Sequence, residues 1–410
     1  MPRPSRAAVR CLPLMGGAVL LAACQGDPVG LPARPAPAVL PAVTATAAPV
    51  KAWTVMVYMS GDNNLEDYIV KDIEAELGLG GSDANINVVA LADRGPGYDA
   101  SRGDWQSTKA YYVTKGMVAD GASALADWGE RNFGDPRTLV DFVTWAKANY
   151  PAQRYALYFW GHGWNWHPGF VMSDDTDRDA LDFEEVRAAI PQLGFIDVVG
   201  YDGCNMASLE ILDLWQGATT AVAASQEYVG WKGIEYDYVL SRLRANPQMT
   251  ADDVARATGE SAIVQGGERT WSAMAVDARY TALKTATDQL AVALLGGLGA
   301  NRKRYDRAFN ATRTMWQAPM DKDLYDMAYE ITLAVSDPTI RARAQAVMNA
   351  INAVTIYEGH TNAYADVRGI SIYHISRAAQ KDASYGYYRA QVALAQSTRW
   401  DEFLDAYASQ

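Results

Sequence analysis

The chain has 410 residues, of which 49% are hydrophobic and 10% aromatic, and its formal net charge is −12. This composition excludes an intrinsically disordered chain and supplies enough apolar side chains for one large domain or two of ordinary size. The acidic balance argues against a nucleic-acid partner, which would need a basic face.

The first 23 residues have the pattern of an export signal. Three arginines precede a short apolar stretch, residues 11–22, which is too short to cross a membrane as a helix. Residues 21–23 (Leu-Ala-Ala), together with Cys24, resemble the lipobox of bacterial lipoproteins, whose cysteine carries fatty acyl chains such as palmitate. This resemblance implies a lipid-anchored protein of the bacterial cell envelope, and Gln25 favours the outer membrane. The alternative is an ordinary signal peptide that contains a cysteine.

A tether and a folded region follow the predicted signal. Residues 24–51 are rich in Pro and Ala, which is typical of an extended, semi-rigid linker. The folded region is expected over 52–410, with a core at 52–240 and a helix-rich part at 241–410. We expect both parts to belong to one domain, because the apolar residues 370–375 favour a strand that joins the sheet.

Strand and helix patterns alternate in the predicted core. Buried strands are expected at 53–59, 86–91, 110–113, 219–224 and 272–276 and within 155–163 and 196–206. Helical patterns cover 65–77, 136–150, 183–190, 206–215 and 400–407, two of them beginning at the caps Asp135 and Asp182. This alternation predicts an α/β fold whose mostly parallel sheet is covered by helices on both faces.

Two of these strands end at a reactive side chain. The first run stops at Gly161, His162 and Gly163, and the second stops at Asp202, Gly203 and Cys204. Ligands bind at the carboxyl ends of parallel strands, so the pattern places an imidazole and a thiol at one sheet edge. A thiol beside an imidazole can act as a nucleophile with its base.

Cysteine usage supports a role for this thiol. The chain has three cysteines, of which Cys11 would leave with the signal and Cys24 would be lipidated. Cys204 is then the one free thiol of the mature protein, and such a thiol needs an explanation. The alternative is a small buried apolar residue, a common fate of free cysteine.

The glycines beside the two reactive residues could stabilise a reaction intermediate. Attack of a thiolate on a carbonyl produces an oxyanion, which the backbone N–H groups of Gly163 and Cys204 could bind. His162 could then protonate the leaving group. The alternative for His162 is a structural role among the tryptophans at 160, 164 and 166.

Three blocks of sequence resemble the clostripain family of cysteine peptidases. They are residues 53–66 (WTVMVYMSGDNNLE), 160–163 (WGHG) and 201–206 (YDGCNM), and the likeness extends to 369–373 (GISIY) and 399–403 (RWDEF). The resemblance implies a caspase-like three-layer α/β sandwich with a mostly parallel central sheet and a helix-rich C-terminal part. It also implies a hydrolase, a thiol protease that acts on proteins or peptides.

The resemblance assigns roles to residues of both loops. It implies that His162 is the general base and acid, that Cys204 is the nucleophile, and that Asp202 binds Arg or Lys at P1. The alternative for Asp202 is a cap on a helix that begins near Asn205. The chain departs from the family at Gly203, where alanine is more common, and at Asn205, where leucine is more common and where a change could alter the primed side of the cleft.

Several weaker candidates follow from the loops. Zinc bound by His167 with His162 and Cys204 is disfavoured because it would block the nucleophile. Calcium is a weaker expectation at the acidic stretch that contains Asp175, Asp177 and Asp179, which resembles half of a calcium loop.

A cut and a second acid are also expected near these loops. Arg178 is a candidate self-cleavage point, since relatives are activated by cuts after basic residues. Among the acids that follow the cysteine strand, Glu227, Glu235 and Asp237, one could be a second acid of the P1 pocket, although ordinary loop charges are the simpler interpretation.

The sequence thus predicts an endopeptidase that cuts after Arg or Lys through a Cys-His dyad and a thioester, with no required cofactor. Its predicted partners are peptide or protein substrates and, through the lipid anchor, a membrane. The alternatives are a catalytically degenerate lipoprotein that binds peptides or partners, and the same chemistry with another P1 preference such as Asn.

Overall fold

A computed structural model describes residues 49–169, 171–316 and 318–409. The predicted export signal, Cys24 and most of the predicted tether lie outside these residues. Among the described helices, none has both the length and the apolar character needed to cross a membrane.

A nine-stranded sheet forms the centre of the fold. Its strands, in chain order, are β1 (Lys51–Gly61), β2 (Ile86–Arg94), β3 (Thr108–Tyr112), β4 (Ala126–Gly129), β5 (Ala152–Trp160), β6 (Ile196–Asp202), β7 (Thr219–Ala224), β8 (Thr270–Ala275) and β10 (Thr355–His360). Their spatial order is β10-β8-β7-β6-β5-β1-β2-β3-β4. The five strands from β7 to β2 are parallel, and two antiparallel strands extend each edge.

Helices cover both faces of this sheet. They are α1 (Glu66–Lys71), α2 (Gly78–Gly80), α3 (Pro136–Asn149), α4 (Phe183–Leu193), α5 (Leu209–Leu214), α6 (Tyr236–Ala245), α7 (Ala251–Glu260), α8 (Ala278–Ala311), α9 (Leu324–Ala334), α10 (Pro338–Val354), α11 (Ala383–Gln391), α12 (Ala393–Ser397) and α13 (Trp400–Ala408). Two π-helical turns, Asp72–Leu77 and Ser261–Gly266, continue α1 and α7. The predicted α/β sandwich with a helix-rich C-terminal part is confirmed.

The alternation of side chains along the central strands explains the two covered faces. In β1, Val55 and Val57 belong to one buried cluster, which includes Ile69 of α1. Met56 and Tyr58 point to the other face and belong to a second cluster. Because successive side chains of a strand point to opposite faces, a strand that is apolar at every position needs a layer of helices on each side.

The cluster on the second face also joins the helix-rich part to the core. It contains Tyr201 of β6 together with Leu294 of α8 and Met348 of α10. The long helices α8 and α10 therefore share one hydrophobic core with the sheet that carries the two reactive loops.

Helix α5 begins later than the sequence predicts. Its first residue is Leu209, and Ser208 is its N-cap, with the side-chain hydroxyl accepting from the N–H of Ile211 at 3.2 Å. The prediction of a helix from residue 206 was wrong, because residues 203–207 form the turn that carries the thiol. In contrast, the capping box predicted at α4, between Asp182 and Glu185, is present.

The strand expected at 370–375 does not join the main sheet. It is shorter, β11 (Ser371–Tyr373), and it pairs antiparallel with β9 (Asp321–Asp323) in a separate two-stranded sheet. The edge position was already taken by β10, which pairs antiparallel with β8. The prediction was wrong because an apolar run indicates burial but not which partner strand it pairs with.

Candidate active site

The two predicted reactive loops lie side by side at the carboxyl edge of the sheet. Strands β5 and β6 are parallel, and Trp160 at the end of β5 pairs with Asp202 at the end of β6. His162 lies two residues after Trp160, and Cys204 lies two residues after Asp202. The strand register therefore brings both loops to the same level. Both side chains are half-buried and line one cleft.

Glycines allow the two loops to approach closely. A Cβ atom on Gly163 would lie 2.8 Å from the carbonyl oxygen of Cys204, and one on Gly203 would lie 2.9 Å from the carbonyl oxygen of Gly161. Contacts this short require a backbone shift, so this packing favours glycine at both positions.

The residue after the thiol has a structural role. Asn205 adopts a left-handed backbone with φ of 60°, and its buried side-chain amide donates to the carbonyl oxygen of Gln226 at 2.8 Å. Asparagine tolerates this backbone region better than leucine does. Asn205 itself does not line the cleft, and an effect on the primed side stays a prediction.

The imidazole of His162 is bound by a residue to which the sequence had assigned no role. Its Nε2 atom lies 2.8 Å from Oδ1 of Asn64, in the turn after β1. Burial lowers the pKa of His162 below its ordinary value, while Asp175 opposes this shift. The ring is therefore neutral at pH 7 and can accept a proton.

The thiol of Cys204 has a raised pKa, so it is mainly protonated at pH 7. Burial raises its pKa, whereas a hydrogen bond donated by the N–H of Val229 to Sγ, at 3.4 Å, lowers it. The acids Glu268 and Asp202 also raise the pKa. The resting pair is thus a neutral thiol and a neutral imidazole, each hydrogen bonded to a neighbour, that face one cleft.

Two backbone donors beside these groups are free. The N–H groups of Gly163 and Cys204 donate to no acceptor within the described ranges. They are the donors that the sequence indicated for an oxyanion. An N–H group left without a partner at a cleft can bind a developing negative charge.

Asp202 lies at the bottom of the cleft. Its side chain is 8% exposed, and its two oxygens accept from the N–H of Ile234 at 3.2 Å and the hydroxyl of Tyr236 at 3.1 Å. Since α5 begins only at Leu209 and is capped by Ser208, Asp202 is not its cap. Burial, with the charge of Asp72, raises the pKa of Asp202 well above its ordinary value.

Two further acids surround Asp202, and neither was predicted. Asp72 accepts from the indole N–H of Trp160 at 2.6 Å, and burial raises its pKa to about 7. Glu268 accepts from the N–H groups of Gly230 and Gly233, and it also raises the pKa of Asp202. Among the described residues Asp202 is the one acid that lines the cleft, whose lining also includes Lys232, and the other two acids act on Asp202 from behind it.

The acids predicted after the cysteine strand lie elsewhere, and none of the three lines the cleft. Glu227 is buried and accepts from the N–H of Trp316. Glu235 and Asp237 lie beside Glu76 in a separate acidic group. The carboxylates that act on Asp202 come instead from the π-helical turn after α1 and from the residues before β8.

The acidic stretch after the histidine loop forms a tight exposed turn. Asp174 and Asp179 pair antiparallel, and Arg178 between them has a left-handed backbone with φ of 56°. The carboxylates of Asp175 and Asp179 diverge, since the first accepts from Tyr98 and the second from Asn132. The expected calcium loop of Asp175, Asp177 and Asp179 does not converge on one point.

His167 is part of an aromatic stack. Its ring lies 4.1 Å from the ring of Trp166, and burial lowers its pKa to about 4. The groups of possible metal ligands found among the described residues contain neither His167 nor Cys204. The geometry thus gives no support to the disfavoured zinc site.

Comparisons with known proteins agree with this geometry. A model of the clostripain family matches residues 57–407. Clostripain from Hathewaya histolytica is 29% identical over 231 residues, a match that covers 49% of this chain and 44% of that protein. The matched region is therefore less than half of that relative's length.

Two solved structures share the fold. One is a secreted C11 cysteine protease from Bacteroides thetaiotaomicron with an irreversible peptide inhibitor, at a TM-score of 0.65 and 17% identity, covering 85% of this chain and 99% of that one. The other is an inactive zymogen C11 protease from Parabacteroides distasonis, at a TM-score of 0.64 and 16% identity, covering 87% of this chain and 99% of that one. At these identities the likeness is one of fold.

Proposed function

Because this chain belongs to the clostripain family, as the resemblance predicted, we propose that it is a cysteine endopeptidase that cuts after Arg or Lys. One observation carries the proposal: His162 and Cys204 occupy matching positions beyond a paired strand end and line the same cleft. Hydrolysis of peptides with Arg, Lys or Asn at P1 tests it. Turnover restricted to Arg and Lys is expected, and no turnover by the wild type would overturn the assignment.

The neutral pair supports a stepwise acyl transfer. As Sγ of Cys204 attacks the scissile carbonyl carbon, His162 takes the thiol proton. The carbonyl oxygen becomes an oxyanion near the N–H groups of Gly163 and Cys204. The C–N bond then breaks, His162 protonates the leaving amine, and a thioester remains. Water, deprotonated by His162, hydrolyses the thioester and regenerates the thiol, so the reaction requires no cofactor.

Asn64 is a positioning residue in this scheme. Its Oδ1 atom accepts from Nε2 of His162, which holds the proton on that nitrogen. The lone pair that can accept the thiol proton is then on Nδ1. A fixed tautomer and ring orientation keep this lone pair available during attack.

The acidic end of the cleft supports a cationic P1 residue. A guanidinium or ammonium group in the cleft would face Asp202, with Asp72 and Glu268 behind it, and its charge would favour the ionised form of Asp202. The raised pKa of Asp202 is also the observation that favours the alternative, because a protonated carboxyl could donate to the amide of a P1 Asn. The rates with Arg, Lys and Asn peptides distinguish a preference for a cationic P1 residue from a preference for Asn.

The charge of Asp72 gives a prediction for the pH profile. Because Asp72 raises the pKa of Asp202, Asp72→Asn should lower it, so that Asp202 ionises at lower pH. The acidic limb of kcat/KM for an Arg peptide should therefore move to lower pH by about half a unit or more. Asp237→Asn removes a carboxylate that is not among the groups that raise the pKa of Asp202, so it is the control and should leave the limb in place. A limb that moves equally in both variants, or moves upward in Asp72→Asn, contradicts this arrangement.

Self-cleavage after Arg178 is a further part of the proposal. The side chain is exposed, but a P1 residue must enter the cleft in extended form, and Arg178 lies in a tight turn. The loop must open first, so cleavage should be slow. We expect purified wild type to accumulate a break after Arg178, and Cys204→Ala and Arg178→Gln to stay intact there, as measured by mass spectrometry. If the purified Cys204→Ala protein is also cut at this site, the cut belongs to another enzyme.

The place of action is proposed from the sequence alone. Residues 1–24 support export and attachment to the bacterial cell envelope, most simply the outer membrane, through lipidated Cys24.

A further inference from the structure

The order of the strands gives the direction in which a peptide lies in the cleft. At the carboxyl edge of the sheet, His162 follows β5, Cys204 follows β6, and Tyr228 lies in the segment after the neighbouring strand β7. Because His162 protonates the leaving amine in the proposed mechanism, the leaving half of the substrate lies on the β5 side of Cys204. The acyl half, which carries the residues before P1, therefore extends toward β7 and β8.

An arginine lies along the path of this acyl half. Arg269 immediately precedes β8, and because β8 is antiparallel to β7, its first residue lies at the same sheet edge as the end of β7. Its Cζ atom is 5.2 Å from the ring centroid of Tyr228, which lines the cleft. Burial raises the pKa of Cys204, and the charge of Arg269 opposes this rise. Arg269 is thus beside the cleft, on its acyl side.

The guanidinium of Arg269 is held in place without an ion pair to any described residue. Its Nη1 atom donates to the carbonyl oxygen of Tyr228 at 3.3 Å. The acids Glu227 and Glu268 feel its charge, but their carboxylates accept from backbone N–H groups. An arginine has five N–H donors in a planar fork, so most of them are available to a ligand.

An exposed tryptophan completes this surface. Trp316 is 66% exposed, its ring meets the ring of Tyr228 edge-on at 6.4 Å, and the Cζ atom of Arg269 is 5.7 Å from its ring centroid. Its backbone N–H donates to the buried Glu227 at 2.9 Å, which fixes this part of the loop. Tyrosine, tryptophan and arginine are the residues enriched at binding surfaces. The two rings can cover the methylene groups of a side chain whose charged end reaches the guanidinium.

We propose that Arg269 binds the carboxylate of a substrate Asp or Glu at P2 or P3, beside Tyr228 and Trp316. The inference rests on the proposed peptidase function and adds a second charge preference to the same cleft. Neighbouring strands lie about 4.8 Å apart, so β8 is roughly 10 Å from β6, a distance that about three extended residues span. A guanidinium binds a carboxylate through two parallel N–H···O bonds. The preferred substrate therefore carries an acid shortly before its basic P1 residue.

Binding of matched fluorescent peptides to the Cys204→Ala protein tests this subsite. The peptides share Arg at P1 and differ only in Glu or Gln at P2, or in Glu or Gln at P3. We expect the Glu peptide to bind at least about fivefold more tightly than its Gln partner at one of the two positions. The difference should shrink when salt is raised from about 0.05 to 0.5 M, because ions screen the pair. Equal affinities at both positions, or no binding of any peptide, would overturn the proposal.

Substitution of the arginine identifies the group that reads the acid. In the same background, Arg269→Gln should abolish the preference for Glu, and Arg269→Lys should keep part of it, since the charge remains without the planar fork. Arg313→Gln is the matched control. Arg313 also lies over a tyrosine, 4.5 Å from the ring centroid of Tyr364, but it is paired with Asp366, and Tyr364 does not line the cleft. The preference should survive in this control, and an equal loss in both Gln variants would contradict the assignment to Arg269.

The comparison of Glu with Gln separates recognition from a structural role. Arg269→Gln can alter folding, which melting temperatures check, or the charge balance around Glu227 and Glu268, but these effects act on both peptides alike. Turnover of the Gln peptides by the wild type tests the peptidase function independently. Turnover without a preference for Glu would remove only the Arg269 subsite. A preference for Glu in binding, without any turnover, would remove only the peptidase function.

Discussion

Replacement of Cys204 by alanine is expected to reduce the hydrolysis of an Arg peptide by at least about 10⁴-fold. The methyl group cannot attack a carbonyl carbon, so the thioester never forms. His162→Ala should cause a comparable loss, because the thiol, whose pKa is raised by burial, then has no base to take its proton. Initial rates with a fluorogenic peptide measure both effects.

The double variant distinguishes a working pair from two independent residues. If His162 acts only through Cys204, the double variant should be no slower than Cys204→Ala alone. Asn64→Ala, which leaves thiol and imidazole in place, should lose roughly 10–100-fold by analogy with other positioning contacts. Retention of more than about 1% of activity in Cys204→Ala would contradict the assigned nucleophile.

Asp202→Asn should lower kcat/KM for Arg and Lys peptides by roughly 10²–10³-fold. The amide keeps the shape of the side chain and an oxygen that can accept from Ile234 or Tyr236, but it removes the charge opposite the P1 cation. Because α5 is capped by Ser208, this change should leave the melting temperature within a few degrees of the wild type. Kinetics and thermal unfolding of the same preparation measure the two effects.

Ser208→Ala is the matched control for Asp202→Asn. It removes the actual N-cap of α5 and should cost about 1 kcal/mol of unfolding free energy. The preference for Arg over Asn should remain. If Asp202→Asn instead unfolds as readily as it loses activity, the residue is structural; if it leaves the Arg preference intact, another group binds P1.

Local sequence was sufficient to place the two reactive loops. An apolar run followed by glycine fixed where β5 and β6 end, and parallel pairing then brought His162 and Cys204 to the same edge. The family resemblance supplied the fold, which the sheet and the comparisons confirm. These inferences succeed because strand ends depend on short-range patterns.

The residues that surround the reactive pair could not be predicted in the same way. Asn64 reaches the cleft, and Asp72 and Glu268 act on Asp202, each from a separate segment. Nothing in the local sequence distinguishes these three from ordinary polar residues of turns and helices. The calcium site expected at Asp175, Asp177 and Asp179 stays a prediction, since a spaced run of acids does not determine which side chains turn inward.

Affinity labelling of the wild type tests the central claim most directly. A short peptide that ends in an arginyl chloromethyl ketone should alkylate the enzyme once, and mass mapping should place the adduct on Cys204. A lysyl reagent should react comparably, an asparaginyl reagent at least about 100-fold more slowly, and Asp202→Asn should lose the preference for arginine. Failure of the arginyl reagent to modify Cys204, or equal labelling by the asparaginyl reagent, would contradict an Arg- and Lys-directed cysteine peptidase.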